Sequence, residues 1–177
     1  PFIEQNGISV SYFDYRQKKE GINGRFKKIP GKERGIQQFN PLAPILSLSE
    51  PFNMNGGIAA GDINHDRWTD VVFADRHQVM IAYNTGESSF QTVVLNLPPL
   101  EESLIFTVAL VDMNNDEWLD LFLTTYGGGN WIVLNEKGRY PVDDNHLIRF
   151  GDGHKFSLAA AFADLNHNGF LDVVTGN

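Results

Sequence analysis

Three stretches of this 177-residue chain carry oxygen-bearing side chains at alternate positions: DINHDRWTD at 62–70, DMNNDEWLD at 112–120 and DLNHNGFLD at 164–172. Alternating oxygen donors in a tight loop are how a polypeptide wraps a hard cation. Positions one, three and five would offer side chains: Asp62, Asn64 and Asp66; Asp112, Asn114 and Asp116; Asp164, Asn166 and Asn168. Position seven would offer a backbone carbonyl, from Trp68, Trp118 or Phe170, and position nine would close the shell with Asp70, Asp120 or Asp172. An EF-hand opens the same way but closes with Glu at position twelve and lies between helices. Position twelve of the first loop is Phe73, and strands are expected on both sides. Calcium accepts six to eight flexibly arranged oxygens and suits this set better than magnesium with its stiffer octahedron. Up to three structural Ca2+ ions are expected, and they would neutralise most of the formal charge of −8. The competing reading is that these are acidic turns whose side chains only bond the backbone; three copies at one spacing favour ligation.

The elements that must hold these loops repeat with them, the loop starts lying 50 and 52 residues apart. A small or apolar segment precedes each loop (GGIAAG, FTVALV, LAAAFA) and a β-branched or aromatic one follows (VVFA, LFLTTY, VVTGN), which reads as strand, loop, strand. A third apolar run ends in an Asn that falls 22 residues after Asp62 and 23 after Asp112, followed by Gly86 or Gly138 as in a hairpin. FQTVVLNL at 90–97 is read as the fourth strand of the first unit and YPVDD at 140–144 as its weaker counterpart in the second. Four short antiparallel strands bury little alone, and units of this size become stable by stacking face to face around an axis. The expected fold class is an all-β propeller of about 50-residue four-stranded blades, with only part of the propeller present. The expected organisation is a divergent N-terminal blade portion and linker at 1–56, blades at 57–105 and 106–156 with the first two loops, and the start of a further blade at 157–177. Residues 8–30 are read as the second half of a preceding unit lacking its acidic loop.

The loops resemble the integrin-type FG-GAP repeats and the related VCBS repeats, whose hairpin loops read Asp-x-Asn/Asp-x-Asp/Asn-Gly-x-x-Asp. The resemblance covers residues 57–177 and implies a calcium-binding propeller, in a family that includes adhesion receptors, secreted bacterial surface proteins and non-catalytic parts of enzymes. Two departures stand out. Position six, where the family's Gly permits a positive φ, is Arg67 and Glu117 in the first two loops and Gly169 only in the third. The third loop has Asn168 where an acid is commoner, so all three are expected to bind with unequal affinity.

Other residues bear on function less directly. His65 and His167 hold position four and are expected to point into solvent, while the remaining histidines form no zinc spacing. No Gly-x-Ser-x-Gly elbow or phosphate-binding Gly loop occurs, and the chain is read as a non-enzyme. Trp68, Trp118 and Phe170 share position seven and are expected to pack between blades. Tyr126, Asn130 and Trp131 flank the run YGGGN, which alternation of strand direction puts at the end opposite the metal loops, with residues 98–103 and 152–155. Three glycines there permit close approach of a protein or glycan partner. The acidic balance excludes a nucleic-acid partner, cysteine is absent, and no apolar run is long enough to span a membrane. The reading is an extracellular, cell-surface or periplasmic module for binding, adhesion or scaffolding, cytosolic calcium being too scarce to fill modest sites. The alternative is a non-catalytic propeller part of an enzyme or redox assembly.

Overall fold

The computed structural model describes residues 2–5, 8–11, 29–36, 56–74, 78–100, 103–151 and 157–176. Among them there are twelve strands and no α-helix, hence no helix long and apolar enough to cross a membrane. The chain divides into two units, Pro1–Pro30 and Gly31–Asn177. In the first, β1 (Phe2–Gln5) pairs antiparallel with β2 (Ile8–Ser11). The preceding half-unit read over residues 8–30 otherwise lies almost wholly outside the described residues.

The second unit holds three up-and-down sheets. The first runs β3 (Ile58–Gly61), β4 (Asp70–Ala74), β5 (Val79–Asn84), β6 (Phe90–Leu95), each strand antiparallel to the next. The second runs β7 (Leu104–Val111), β8 (Asp120–Tyr126), β9 (Asn130–Val133), β10 (Leu147–Phe150). The third is the pair β11 (Ala159–Ala163) and β12 (Asp172–Gly176). Register places every acidic loop identically: Gly61 pairs with Asp70, Val111 with Asp120 and Ala163 with Asp172. Each loop is therefore the hairpin connection between the first two strands of its sheet, and position nine opens the second strand.

The fourth strand of the second sheet is β10, not YPVDD. Pro141 has no N–H to give a ladder. Two residues on, Asp143 Oδ1 accepts the backbone N–H of Asn145 at 2.9 Å and of His146 at 3.2 Å, which turns the chain before it can pair. Pairing resumes at Leu147, opposite Val133.

The sheets are held by apolar burial on both faces of β8, which is buried from Asp120 to Thr125. Leu121 and Leu123 join Val72, Val79, Ile81, Ile105, Val108 and Val133 in one core. Phe122, on the other face, meets Phe162 of the third sheet edge-on, with centroids 4.9 Å apart. A strand covered twice needs no polar alternation, which accounts for the run LFLTT. The first sheet approaches the second so closely at Gly57 that a Cβ there would sit 2.5 Å from the Val108 backbone nitrogen. Gly57→Ala should therefore cost about 1–3 kcal/mol by overpacking, whereas Gly176→Ala, with open space around it, should change stability by no more than about 0.5 kcal/mol. Urea unfolding of the two variants checks this, and equal midpoints would remove the close contact from the account.

Candidate metal centre

In all three loops the same side chains meet the same backbone amides. Position one bridges two of them: Asp62 accepts from Asp66 N at 3.1 Å and Arg67 N at 2.9 Å, Asp112 from Asp116 N at 3.2 Å and Glu117 N at 2.9 Å, and Asp164 from Asn168 N at 3.0 Å and Gly169 N at 2.9 Å. Position three accepts from the same position-five amide, through Asn64, Asn114 and Asn166, at 3.0–3.1 Å. Position five accepts from the amide of position seven, with Asp66 to Trp68 N at 2.8 Å, Asp116 to Trp118 N at 2.9 Å and Asn168 to Phe170 N at 2.9 Å. Two side-chain oxygens converging on one amide are thereby crowded together. Each keeps a lone pair for a further partner.

These turns require left-handed backbone. Position six has φ of 72° at Arg67, 72° at Glu117 and 87° at Gly169, so two bulky residues occupy the conformation the family pattern reserves for glycine. Each costs about 1 kcal/mol or more. Position four is left-handed too, φ being 60° at His65, Asn115 and His167, a requirement the sequence reading missed. Asn at 115 was the available signal, since short amide side chains tolerate this region.

Position nine differs in kind. Asp70 and Asp120 are fully buried. Asp70 accepts from Ile63 N at 3.0 Å and Asn84 N at 2.8 Å, and Asp120 from Met113 N at 2.9 Å and Asn135 N at 2.9 Å. Burial holds both carboxyls above the ordinary value of 3.8; the amides pull them down, and the loop's own acids, Asp66 and Asp62 or Asp116 and Asp112, push them up again. Asp172 accepts from Leu165 N at 2.9 Å and is only partly buried.

Position four is exposed in all three loops, as expected of His65 and His167, but in the first two loops it also bonds the next loop. His65 Nε2 lies 3.0 Å from the Glu117 carbonyl oxygen of the next loop, and its ring stacks on Trp118 at 3.9 Å and 12°. Asn115 Nδ2 donates to the Gly169 carbonyl at 2.7 Å. Period-based reading hides such contacts, because they join one repeat to the next. Of the position-seven aromatics, Trp118 packs between blades as expected, while Trp68 lies against Gly86 of its own sheet and Phe170 is exposed.

Two successive stretches of the chain, 62–123 and 112–175, match the family model described as FG-GAP-like repeat. The chain belongs to the FG-GAP-like repeat family. Its four-stranded sheets are propeller blades, and the chain carries part of a β-propeller. It is also 27% identical over 124 residues to integrin alpha-3 of Cricetulus griseus and, to the same extent, of Mus musculus. Those alignments cover 61% of this chain and 12% of each integrin, so the chain spans about one eighth of the length of these relatives. No solved structure matches significantly.

The donor set of each FG-GAP-like loop mixes carboxylate, amide and carbonyl oxygens, which is the chemistry of a hard-cation site. Among the described residues, no three His, Cys, Asp or Glu side chains gather at one point; in the first two loops the third carboxylate is turned inward onto amides.

At the opposite end of the blades the Tyr126–Asn130 connection is closed in on itself. Trp131 Nε1 and Arg149 Nε both donate to the Gly128 carbonyl, at 3.1 and 2.9 Å, and Thr125 Oγ1 donates to that of Gly129. Asn130 Nδ2 reaches Ser157 Oγ at 3.1 Å. Asn130 is 4% exposed and Trp131 8%, so of the three residues singled out here only Tyr126, at 40%, presents a surface. Residues 152–155, read as part of this end, lie outside the described residues.

Asp120→Ala would strand two buried amides and should cost about 2–5 kcal/mol even in excess chelator. The pH dependence has a definite sign. With the folded carboxyl raised above 3.8, its contribution is complete below that pH and is lost as pH rises through the folded value. The stability advantage of the parent over Asp120→Asn should accordingly narrow from pH 3.8 upward in chelator, as read from urea midpoints; a widening gap would reverse the assignment.

Proposed function

We propose that the chain is part of a calcium-stabilised, adhesion-related propeller module that binds a protein or glycan partner outside the cytosol, at the cell surface or in the periplasm. The observation that carries the reading is the threefold repetition of one mixed oxygen donor set on hairpins of identical register. In each loop the cation would be held by side-chain oxygens of positions one, three and five, the carbonyl of position seven and the carboxylate of position nine. The third loop would do so with one carboxylate fewer. The ion's contribution is charge neutralisation and cross-linking within the hairpin; no water is activated and no chemistry on a substrate is assigned. Likeness to integrin alpha-3 supports the adhesion reading and the extracellular setting. In this reading 57–105 and 106–156 act as whole blades, 157–177 opens another and 1–56 precedes them. Tyr126 is the exposed contact of the partner-binding end, and Asn130 and Trp131 support it from within.

Because in the first two loops the carboxylates of positions one and five push against the buried one at position nine, chelation should lower the thermal midpoint of the chain and added calcium should restore it. Scanning calorimetry in calcium and in excess chelator checks this. Equal midpoints, together with no calcium binding by titration calorimetry, would overturn the reading.

A further inference from the structure

We propose that the side chain at loop position four is a positioning residue for the cation site of the following loop, so that neighbouring sites fill cooperatively. The inference rests on the calcium reading above and deepens it. His65 lies between two candidate ligands of its own loop, Asn64 and Asp66, and its Nε2 sits 3.0 Å from the carbonyl oxygen of Glu117. A carbonyl can only accept, so Nε2 carries the hydrogen. Asn115, between Asn114 and Asp116, makes the equivalent contact to the Gly169 carbonyl at 2.7 Å. Two different side chains sharing only an N–H donor thus make one contact at one repeat position.

What that contact grips gives it consequence. A peptide unit is a rigid plane. The plane joining Glu117 to Trp118 is held on one edge by His65, through the Glu117 oxygen, and on the other by Asp116, whose Oδ1 accepts the Trp118 N–H at 2.9 Å. The plane joining Gly169 to Phe170 is likewise held by Asn115 and by Asn168, whose Oδ1 accepts the Phe170 N–H at 2.9 Å. In each case the far edge is bonded to the candidate ligand at position five, and the next carbonyl along, of Trp118 or Phe170, is the candidate ligand at position seven. A cation that orders positions five and seven of one loop also orders the plane between them. Through that plane it orders the position-four residue of the preceding loop, which separates that loop's own ligands at three and five. Linkage makes the effect reciprocal. The left-handed φ of 60° at His65 and Asn115 leaves this residue little freedom to move without moving its neighbours.

The test isolates the second and third loops. In a parent carrying Asp66→Ala to disable the first loop, calcium titration calorimetry gives the affinity of the third loop with the second intact and with it disabled by the exposed substitution Asp116→Ala. Retention of the fold in chelator is checked by far-UV circular dichroism. Disabling the second loop should weaken the third about fivefold or more. With Asn115→Ala added, the third loop's affinity should no longer depend on the second, and Asn115→His, which keeps an N–H donor, should restore the dependence. A contact that is merely structural would lower affinities without making the sites independent. Third-loop affinity that ignores the second loop while Asn115 is present, or dependence that survives Asn115→Ala, overturns the coupling. A parent chain that binds no calcium overturns the cation reading beneath it instead.

Discussion

The carboxylate at loop position nine is the interaction on which the blades depend. Asp120 is withdrawn from water at the start of β8 and takes one amide from the second residue of its loop and another from the hairpin turn after β9. One side chain thereby sets the spacing of three consecutive chain segments. The turn carries the tie onward: Asn135 Nδ2 donates to Leu119 O at 3.1 Å within its own blade and to Ile63 O at 3.0 Å in the preceding one. Asn135 Oδ1 accepts the Gly138 N–H at 2.7 Å, and the Gly138 carbonyl accepts the Tyr83 hydroxyl at 3.0 Å, again from the preceding blade. Burying a charge is costly unless it is bonded, and here the bonds that satisfy the charge are those that assemble the blade and join it to its neighbour.

This arrangement alters what the acids accomplish. Backbone bonding, set against ligation as a competing explanation of an acidic loop, is present in every loop and leaves lone pairs for a cation as well. The backbone amides at positions five, six and seven are taken by side chains at one, three and five, so the loop has a defined shape from hydrogen bonds alone. The same bonds draw a position-one carboxylate oxygen and a position-three amide oxygen onto one N–H, a gathering of like partial charges that a divalent ion would relieve. Position nine is occupied with amides on both oxygens in the first two blades, which makes it a structural anchor before it is anything else.

The repeat, the first three strands of each blade and the hairpin placement of the loops were legible because each depends on residues within one repeat, while the left-handed backbone at position six came from the family pattern, Arg67 and Glu117 giving no sign of it. What was not legible crosses between repeats or depends on a local competitor. The hydrogen bonds of His65 and Asn115 join residues more than fifty positions apart, and nothing in a 50-residue period says which faces touch. A side chain flanked by candidate ligands is rightly read as exposed, yet at His65 and Asn115 the exposed side chain also reaches the neighbouring blade. YPVDD failed as a strand because Asp143 diverts the chain into a turn, which a hydrophobic count does not weigh. The glycines of YGGGN suggested an open surface. Their carbonyls, bare of flanking side chains, instead serve as acceptors for Trp131 and Arg149, so the absence of bulk drew the chain's own aromatic residue inward.

Tolerance of Arg67 and Glu117 at a glycine position follows from the same network. A left-handed residue is strained on its own, but the amide at position six is bound by the position-one carboxylate in every loop, at 2.9 Å in all three. A charge-assisted bond of this kind is roughly twice as strong as a neutral one, enough to offset strain of about 1 kcal/mol. The carbonyls of Glu117 and Gly169 are held as well, by the position-four donors of the loops before them. Both groups of the residue are thus bonded where Glu117 bears the strain, and the glycine that relieves it in the third loop stands in the loop whose position-five side chain, Asn168, is uncharged. Backbone strain and side-chain charge therefore vary from loop to loop, while the hydrogen bonds that set the loop's shape stay the same.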